Sequence, residues 1–472
     1  MNDTNLTENR FGCKVRVKKL RNYTLPAGAW KEKELPNSYI LPDDRLPVVK
    51  NQKYNSCVGF GTTSVMEVLY HKEFGRDKIL SPYYVYGNPE CRNGYMGEGM
   101  FLEDTVNGLR KAGTVPLKDF DYALEAPAII EAVEERPELR EVAAKYRIKS
   151  FYEIPKYALV ERFINTLKDA LYTYEIPIVI ASHRYFGGSH CVILIGWNED
   201  DKFIFQNSWG TEYKDGGRWT IPYNHIDEAF VLLDEELELP YEDVDENEWY
   251  YKDIKTAYFS DIIKGTSATT FSPNDNILRC EAATIAVRVL NKLQCNIKTF
   301  NDTLRQKEES TQLLLNEDVY SISPTTPANV RDLNENEWYY TDVKKMLSTG
   351  IMTGDAEGTF RPNDGITRAE TAAIIVRLYE YIGKILCILD EQDTVMVEFT
   401  DVNKNEWYYK EVNKAANYGF LFGDTEGTFR PNDNITRAEF TSTIVRLMER
   451  VDNIFLTFCT EWDYSEWDLP SK

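Results

Sequence analysis

The segment from Gly188 to Gly210, GSHCVILIGWNEDDKFIFQNSWG, constrains the fold more than any other in the chain. Cys191 to Trp197 is an apolar run, Asn198 to Asp201 is a cluster of turn residues, and Lys202 to Gln206 alternates polar residues with Phe203 and Phe205. This pattern predicts a β-hairpin. Folded about its turn, the hairpin sets His190 at the start of one strand beside Asn207 at the end of the other. An imidazole held by a carboxamide forms two thirds of a nucleophilic triad. The third part would be a thiol at the start of a helix.

Cys57 occupies such a position. Asn55 and Ser56 are good helix N-caps, and the following CVGFGTTSVMEVLYHKEFG has apolar residues at 58, 65, 66, 68 and 69 and ends on Gly75, the pattern of a core helix. A thiol in the first turn faces unpaired N–H groups and the positive end of the helix dipole, so its pKa is expected to fall. Without such a setting, a cysteine reads as a small buried hydrophobe. Of the four histidines, His71 lies 14 residues along the same helix, about 21 Å away at 1.5 Å per residue, too far to take the proton. His183, in a glycine-bearing loop, and His225, beyond the hairpin, read as solvated surface groups. His190 remains as the base.

Three blocks, VVKNQKYNSCVGFG, GSHCVILIGWN and FIFQNSWG, resemble the papain family of cysteine peptidases. In that family the His and Asn lie roughly 130 to 150 residues beyond the Cys. Here 133 residues separate Cys57 from His190, and 150 separate it from Asn207. The resemblance implies a two-lobed α+β domain, a helical lobe plus an antiparallel barrel-like lobe. Cys57 would be the nucleophile, His190 the proton carrier, Asn207 its orienting partner and Trp209 a cover over their hydrogen bond. Gln52 matches the oxyanion glutamine, although it stands five residues before the Cys where the family usually has six; Asn51 is the alternative register. Val58 stands where an aromatic is common. Gly97 and Gly99 would form a wall along which substrate backbone passes. Residues 125 to 172 read as a charged, helix-rich elaboration. With 56 residues before Cys57, no long inhibitory propeptide is expected, and any restraint on activity would come from elsewhere.

Beyond an acidic linker, DEELELPYEDVDENE, the chain repeats itself. DENEWYY, NENEWYY and NKNEWYY recur at Trp249, Trp338 and Trp407, and thirty residues after each tryptophan stand Arg279, Arg368 and Arg437. Each unit reads as a helix, a glycine stop, a GTFRPND-type turn and a second helix. Thr367 with Glu370, and Thr436 with Glu439, form capping boxes. An arginine at a helix start faces the wrong end of the dipole. It would be more at home with an anion bridging it to the helix N–H groups, or with a salt bridge to a neighbouring module's glutamate.

The units resemble S-layer homology (SLH) repeats, which implies an all-α pseudo-threefold prism holding an anionic, pyruvylated cell-wall polysaccharide. Arg368, Arg437 and Arg279 would receive its carboxylate, with Trp338 and Trp407 contributing to the site. The first unit diverges: LRCE replaces TRAE, and Asp261 and Thr269 stand where glycines occur, so Arg279 is expected to matter least. The expected division is a peptidase domain over 1–232, a divergent first module over 233–290, an inserted linker over 291–329, a second module over 330–385, and a third over 386–472 with an acidic aromatic tail.

A net charge of −22 argues against nucleic acid or an anionic membrane as the main partner. Eight cysteines without a Cys-x-x-Cys pair indicate buried thiols rather than a metal site or disulfide framework, and no cofactor is expected. No stretch can span a bilayer, and MNDTNLTENRFGCKVRVKKL lacks the features of a signal peptide. A cell-wall or extracellular location is expected from the repeats. The start is absent from this chain, export is unconventional, or the protein leaves by lysis, for example as part of a virion. The reading is a wall-tethered thiol endopeptidase acting on protein or peptide. The alternatives are a peptidoglycan peptide hydrolase or transpeptidase, and a wall-binding protein with a retired peptidase domain.

Overall fold

The computed structural model describes residues 11–14, 18–25, 35–75, 77–156, 160–200, 202–306, 330–386 and 397–461. Residues 307–329 of the expected linker, Cys387 and the acidic aromatic tail from 462 lie outside them. The chain divides into two compact units: one centred on Thr24–Leu237, the other on Glu238–Glu461 with Val17–Tyr23.

The first unit begins with strand β1 (Cys13–Lys14), then β2 (Tyr39–Ile40) and helix α1 (Cys57–Phe74). Helix α1 is buried from Cys57 to Leu69, because its threonines and serine return their hydroxyls to the preceding turn and leave an apolar exterior. Short helices α2 (Pro82–Gly87) and α3 (Pro89–Arg92), strand β3 (Met100–Phe101) and helix α4 (Leu102–Lys111) complete the helical side. Helices α5 (Ala128–Glu134) and α6 (Leu139–Ala143), strand β4 (Ser150–Glu153) and helix α7 (Val160–Tyr174) follow, giving residues 125–172 the expected helical content.

The other side is a seven-stranded sheet. It adds β5 (Ile178–Ser182), β6 (His190–Trp197), β7 (Phe203–Gln206), β8 (Arg218–Ile221) and β9 (Glu228–Leu233) in the order β4-β9-β5-β6-β7-β8, with β2 on β6. The hairpin is β6 and β7, paired antiparallel with Trp197 opposite Phe203 and Ile193 opposite Gln206. Asn198 closes it by accepting N–H bonds from Asp200 and Lys202 through its side chain. The two-lobed α+β fold is as expected.

The second unit is helical: α8 (Tyr251–Phe259), α9 (Arg279–Gln306), α10 (Tyr340–Thr349), α11 (Arg368–Ile385), α12 (Tyr409–Asn417) and α13 (Arg437–Glu461). Two differences from the expected division stand out. Residues 291–306 continue α9 instead of starting a linker. Residues around Leu20, expected in the peptidase domain, belong to this unit, since Asp452 accepts N–H bonds from Leu20 at 2.5 Å and from the Arg21 side chain at 2.9 Å, and Asn296 donates to Lys18.

The three modules share one device. Asp243, Asp332 and Asp401 each accept two consecutive backbone N–H bonds, at Phe271 and Ser272, Phe360 and Arg361, and Phe429 and Arg430. The carboxylate thereby holds Ser272, Arg361 and Arg430 at φ of 59°, 56° and 55°, where non-glycine residues rarely sit. Ile277, Ile435 and Ile366 then close a ring, each donating its N–H to the next one's carbonyl. That ring is the pseudo-threefold axis the repeats imply.

Candidate active site and wall-binding surface

His190 opens β6 and Asn207 follows β7, so the hairpin register alone brings them together. His190 Nε2 lies 2.8 Å from Asn207 Oδ1. The Trp209 ring stacks on the imidazole, with centroids 4.6 Å apart and planes 30° from parallel, and covers that hydrogen bond. Asn207 Oδ1 also accepts the Ser208 N–H at 2.7 Å, which fixes its amide.

Gln52 is buried and tied to the same loop: its N–H donates to the Ser208 carbonyl at 2.6 Å and its side-chain oxygen accepts from Ser208 Oγ at 2.5 Å. Its Nε2 donates to the Tyr54 carbonyl at 3.1 Å. Asn51 is exposed, so the structure turns Gln52 rather than Asn51 inward. Cys57 is the first residue of α1, and backbone amides of Cys191, Gly12, Val58 and Cys57 itself reach its sulfur. Cys191 is the neighbour of His190 on β6, which links the helix start to the histidine's strand.

The Cys57 thiol does not have the low pKa its helix position suggests. Burial pushes it up from 9.0 to about 11, outweighing the backbone amides that pull the other way. Both Cys57 and His190 are 0% exposed. The cover is the N-terminal segment, a feature not recognised from the sequence. The Phe11 ring meets His190 and Trp209 edge-on at 6.0 and 5.8 Å, and Gly12 lies against the helix start. A Cβ on Gly12 would stand 1.7 Å from the Asn55 carbonyl oxygen, so only glycine fits there. Cys13 and Lys14 pair in parallel with Met100 and Phe101, and Met100 N–H donates to the Gly12 carbonyl at 2.7 Å. The composition gives no sign of this, since the segment has no periodicity and its partners lie far along the chain.

Of the two wall glycines, Gly99 has φ of 81° and would place a Cβ 2.6 Å from the Gly12 carbonyl oxygen. Close backbone approach is therefore real at Gly99, and the chain's own segment is what approaches. Gly97 is exposed and meets Tyr95 of its own loop. Buried Arg92 builds this wall by donating to the carbonyls of Tyr86, Tyr95 and Gly97.

The three other histidines differ from expectation or keep it for clear reasons. His71 stays outside, 2.9 Å from Asp77. His183 is buried instead of solvated, because β1 and β9 close over its loop; its Nδ1 lies 2.7 Å from Ser189 Oγ and its Nε2 3.2 Å from Glu228. His225 is half-buried, and burial lowers its pKa.

In the second unit the three arginines are buried and point into the next module. Arg279 donates to Glu370 at 2.6 Å and to the carbonyls of Phe360 and Thr353. Arg368 does the same with Glu439 at 3.4 Å, Phe429 and Phe422, and Arg437 with Glu281 at 2.6 Å, Phe271 and Lys264. The helix-start N–H groups of all three donate to carbonyls of Asp364, Asp433 and Asp275. The salt bridge to a neighbouring module's glutamate is thus the arrangement found. An anion bridging the arginine to its own helix N–H groups is not, because those donors are taken by backbone. Trp249, Trp338 and Trp407 are 59%, 63% and 58% exposed. A groove brings Trp249 together with Arg368 and with Phe422, Asp424, Arg430 and Arg446 of the third module.

Comparison with known proteins agrees with this division. Residues 42–229 match the family described as papain family cysteine protease, and residues 240–283, 331–372 and 398–441 match the S-layer homology domain. Among curated proteins, an endoglucanase of a Bacillus species (strain KSM-635) is 29% identical over 47% of this chain and 20% of its own length. A cellulosome-anchoring protein of Acetivibrio thermocellus is 29% identical over 41% of this chain and 37% of its own. The chain thus spans well under half the length of these relatives. Xylellain, a cysteine protease from Xylella fastidiosa, aligns over 49% of this chain and 100% of its own with 19% identity and a TM-score of 0.40. The chain carries a papain-family cysteine protease domain followed by three S-layer homology domains.

Proposed function

We propose that the first unit hydrolyses peptide bonds in protein substrates through a cysteine acyl-enzyme. The observation that carries this is the His190–Asn207 contact at 2.8 Å beneath Trp209, on the strand whose next residue faces the Cys57 sulfur. Cys57 gives its proton to His190 Nδ1 and its thiolate attacks the substrate carbonyl carbon. The tetrahedral oxygen takes hydrogen bonds from the Cys57 N–H and the Gln52 amide, which must leave Tyr54 to do so. The leaving amine takes the proton back from His190, and water then cleaves the thioester by the same route in reverse. In the covered arrangement Phe11–Lys14 occupies the cleft, so a substrate must displace it.

S-layer homology domains and surface relatives put this chain at the cell wall or cell surface. We infer that the second unit holds an anionic wall polysaccharide in grooves shared between modules. The groove seen at Trp249 has an exposed cation, Arg430, beside Asp424, with Arg368 at its base. By the repeat, Trp407 and Arg279 serve the groove of the second module's Asp355 and Arg361, and Trp338 and Arg437 serve that of the first. Since each arginine enters the next module, the divergent turn belongs to Arg437 rather than Arg279. That turn carries Thr266 and Ser272 in place of the acid and the cation.

The test of the peptidase reading is digestion of casein against purified peptidoglycan by the full chain and by Cys57→Ser. Casein cleavage that is lost in Cys57→Ser supports the reading. Release of peptides from peptidoglycan alone would favour a wall hydrolase.

A further inference from the structure

We propose that Cys13, His183 and Glu228 form a site for a zinc-like divalent cation that pins the N-terminal segment over the active site. Their ligating atoms, one sulfur, one imidazole nitrogen and one carboxylate oxygen, all lie within 4.8 Å of one another. Cys13 and His183 are buried, and Glu228 is largely so.

Zinc takes thiolate, imidazole and carboxylate together, at about 2.3 Å to sulfur and about 2.0 to 2.2 Å to nitrogen or oxygen. Two ligands at about 2.0 Å around a tetrahedral ion stand roughly 3.3 Å apart. The observed separation of His183 Nε2 from the Glu228 carboxylate is 3.2 Å. The histidine is held for this role from behind: Nδ1 lies against Ser189 Oγ at 2.7 Å, and the His183 backbone N–H donates to Asp227 at 2.9 Å. Such outer contacts fix the tautomer and ring orientation of metal-bound imidazoles. Three protein ligands leave a fourth position for water, so the ion would exchange with solvent and respond to chelators. On binding, the Cys13 thiol releases its proton to solvent and a thiolate–metal bond forms, with no change of oxidation state.

The consequence follows from where Cys13 sits. It adjoins Gly12 and Phe11, which lie on Cys57, His190 and Trp209, whereas His183 and Glu228 belong to the sheet side of the same unit. Metal binding therefore joins the cover to the sheet side, and metal loss releases it. This gating rests on Cys57 being the nucleophile; the metal site itself does not.

The full-length Cys57→Ser variant, which removes the competing active-site thiol, is titrated with cobalt(II). About one equivalent should give thiolate-to-cobalt charge-transfer absorption that is absent in Cys57→Ser with Cys13→Ala and weakened in Cys57→Ser with Glu228→Gln. No such band, or one that survives Cys13→Ala, overturns the site. In the protein with Cys57 intact, added zinc should slow iodoacetamide alkylation of Cys57 at least tenfold, and a chelator should reverse it. Equal slowing in Cys13→Ala would overturn the gating even with a cobalt band present, because zinc would then be acting at Cys57 itself.

Discussion

Cys57 carries two opposing influences. Its helix-start position supplies N–H donors that favour the thiolate, and its burial under Gly12 and Phe11 favours the thiol; burial is the larger, leaving the pKa at about 11. The neutral thiol is therefore the form the covered state holds. Its contribution to that state is full below pH 9 and is lost as the pH rises toward 11, the folded value lying above the ordinary one. Gly12→Ala cannot be accommodated against the Asn55 carbonyl, so it should lift the segment. Returning the thiol to its ordinary range would raise iodoacetamide labelling at pH 7 on the order of 10²-fold, two pKa units' worth. Unchanged labelling would show that the segment is not what buries the thiol. Gln52→Ala should lower kcat on the order of 10²- to 10³-fold with little change in KM, as measured on a peptide ester. His190 and Asn207 were legible in the sequence because a hairpin is local and its register follows from alternation. Phe11, Gly12 and the burial of His183 were not, since they depend on contacts across most of the domain between residues without a pattern of their own.

At the scale of elements, the repeats showed their period, capping boxes and threefold count in the sequence, but not the end of the first module's second helix, which runs on to Gln306. What they concealed was the direction of the arginines. An arginine at a helix start signals a missing anion equally well whether that anion is a ligand or a glutamate. Only the packing decides, and it supplies Glu370, Glu439 and Glu281. Removing one partner of such a buried pair costs about 3 to 5 kcal/mol. Arg279→Ala should accordingly lower the thermal midpoint of the second unit, read by circular dichroism, and weaken polymer binding at the second module's groove with it. The exposed cations behave differently. Arg361→Ser and Arg430→Ser, which copy the first module's Ser272, should leave the unfolding free energy within about 0.5 kcal/mol of the parent's, the usual range for surface changes. Each should nonetheless weaken pulldown by pyruvylated wall polymer about tenfold or more, a charge-assisted bond contributing about 1.5 to 3 kcal/mol. Equal binding of polymer stripped of its ketal would contradict a carboxylate-reading groove.

The whole chain joins a papain-family cysteine protease domain to three S-layer homology domains, and in the first unit Phe11 and Gly12 lie over the buried Cys57 and His190. The sequence showed the two parts and their order; it put residues 18–23 with the wrong part, because a short irregular segment reveals its partner only in the fold. A thiol peptidase held shut by Phe11–Lys14 is the central proposal for the first unit. Its most direct test is the initial rate of casein cleavage by the full chain, by Gly12→Ala and by Gly12→Ala with Cys57→Ser. Gly12→Ala should cleave at least tenfold faster than the parent, and the double variant not at all. Cleavage that persists without Cys57, or none even with the cover displaced and Cys57 present, would contradict it.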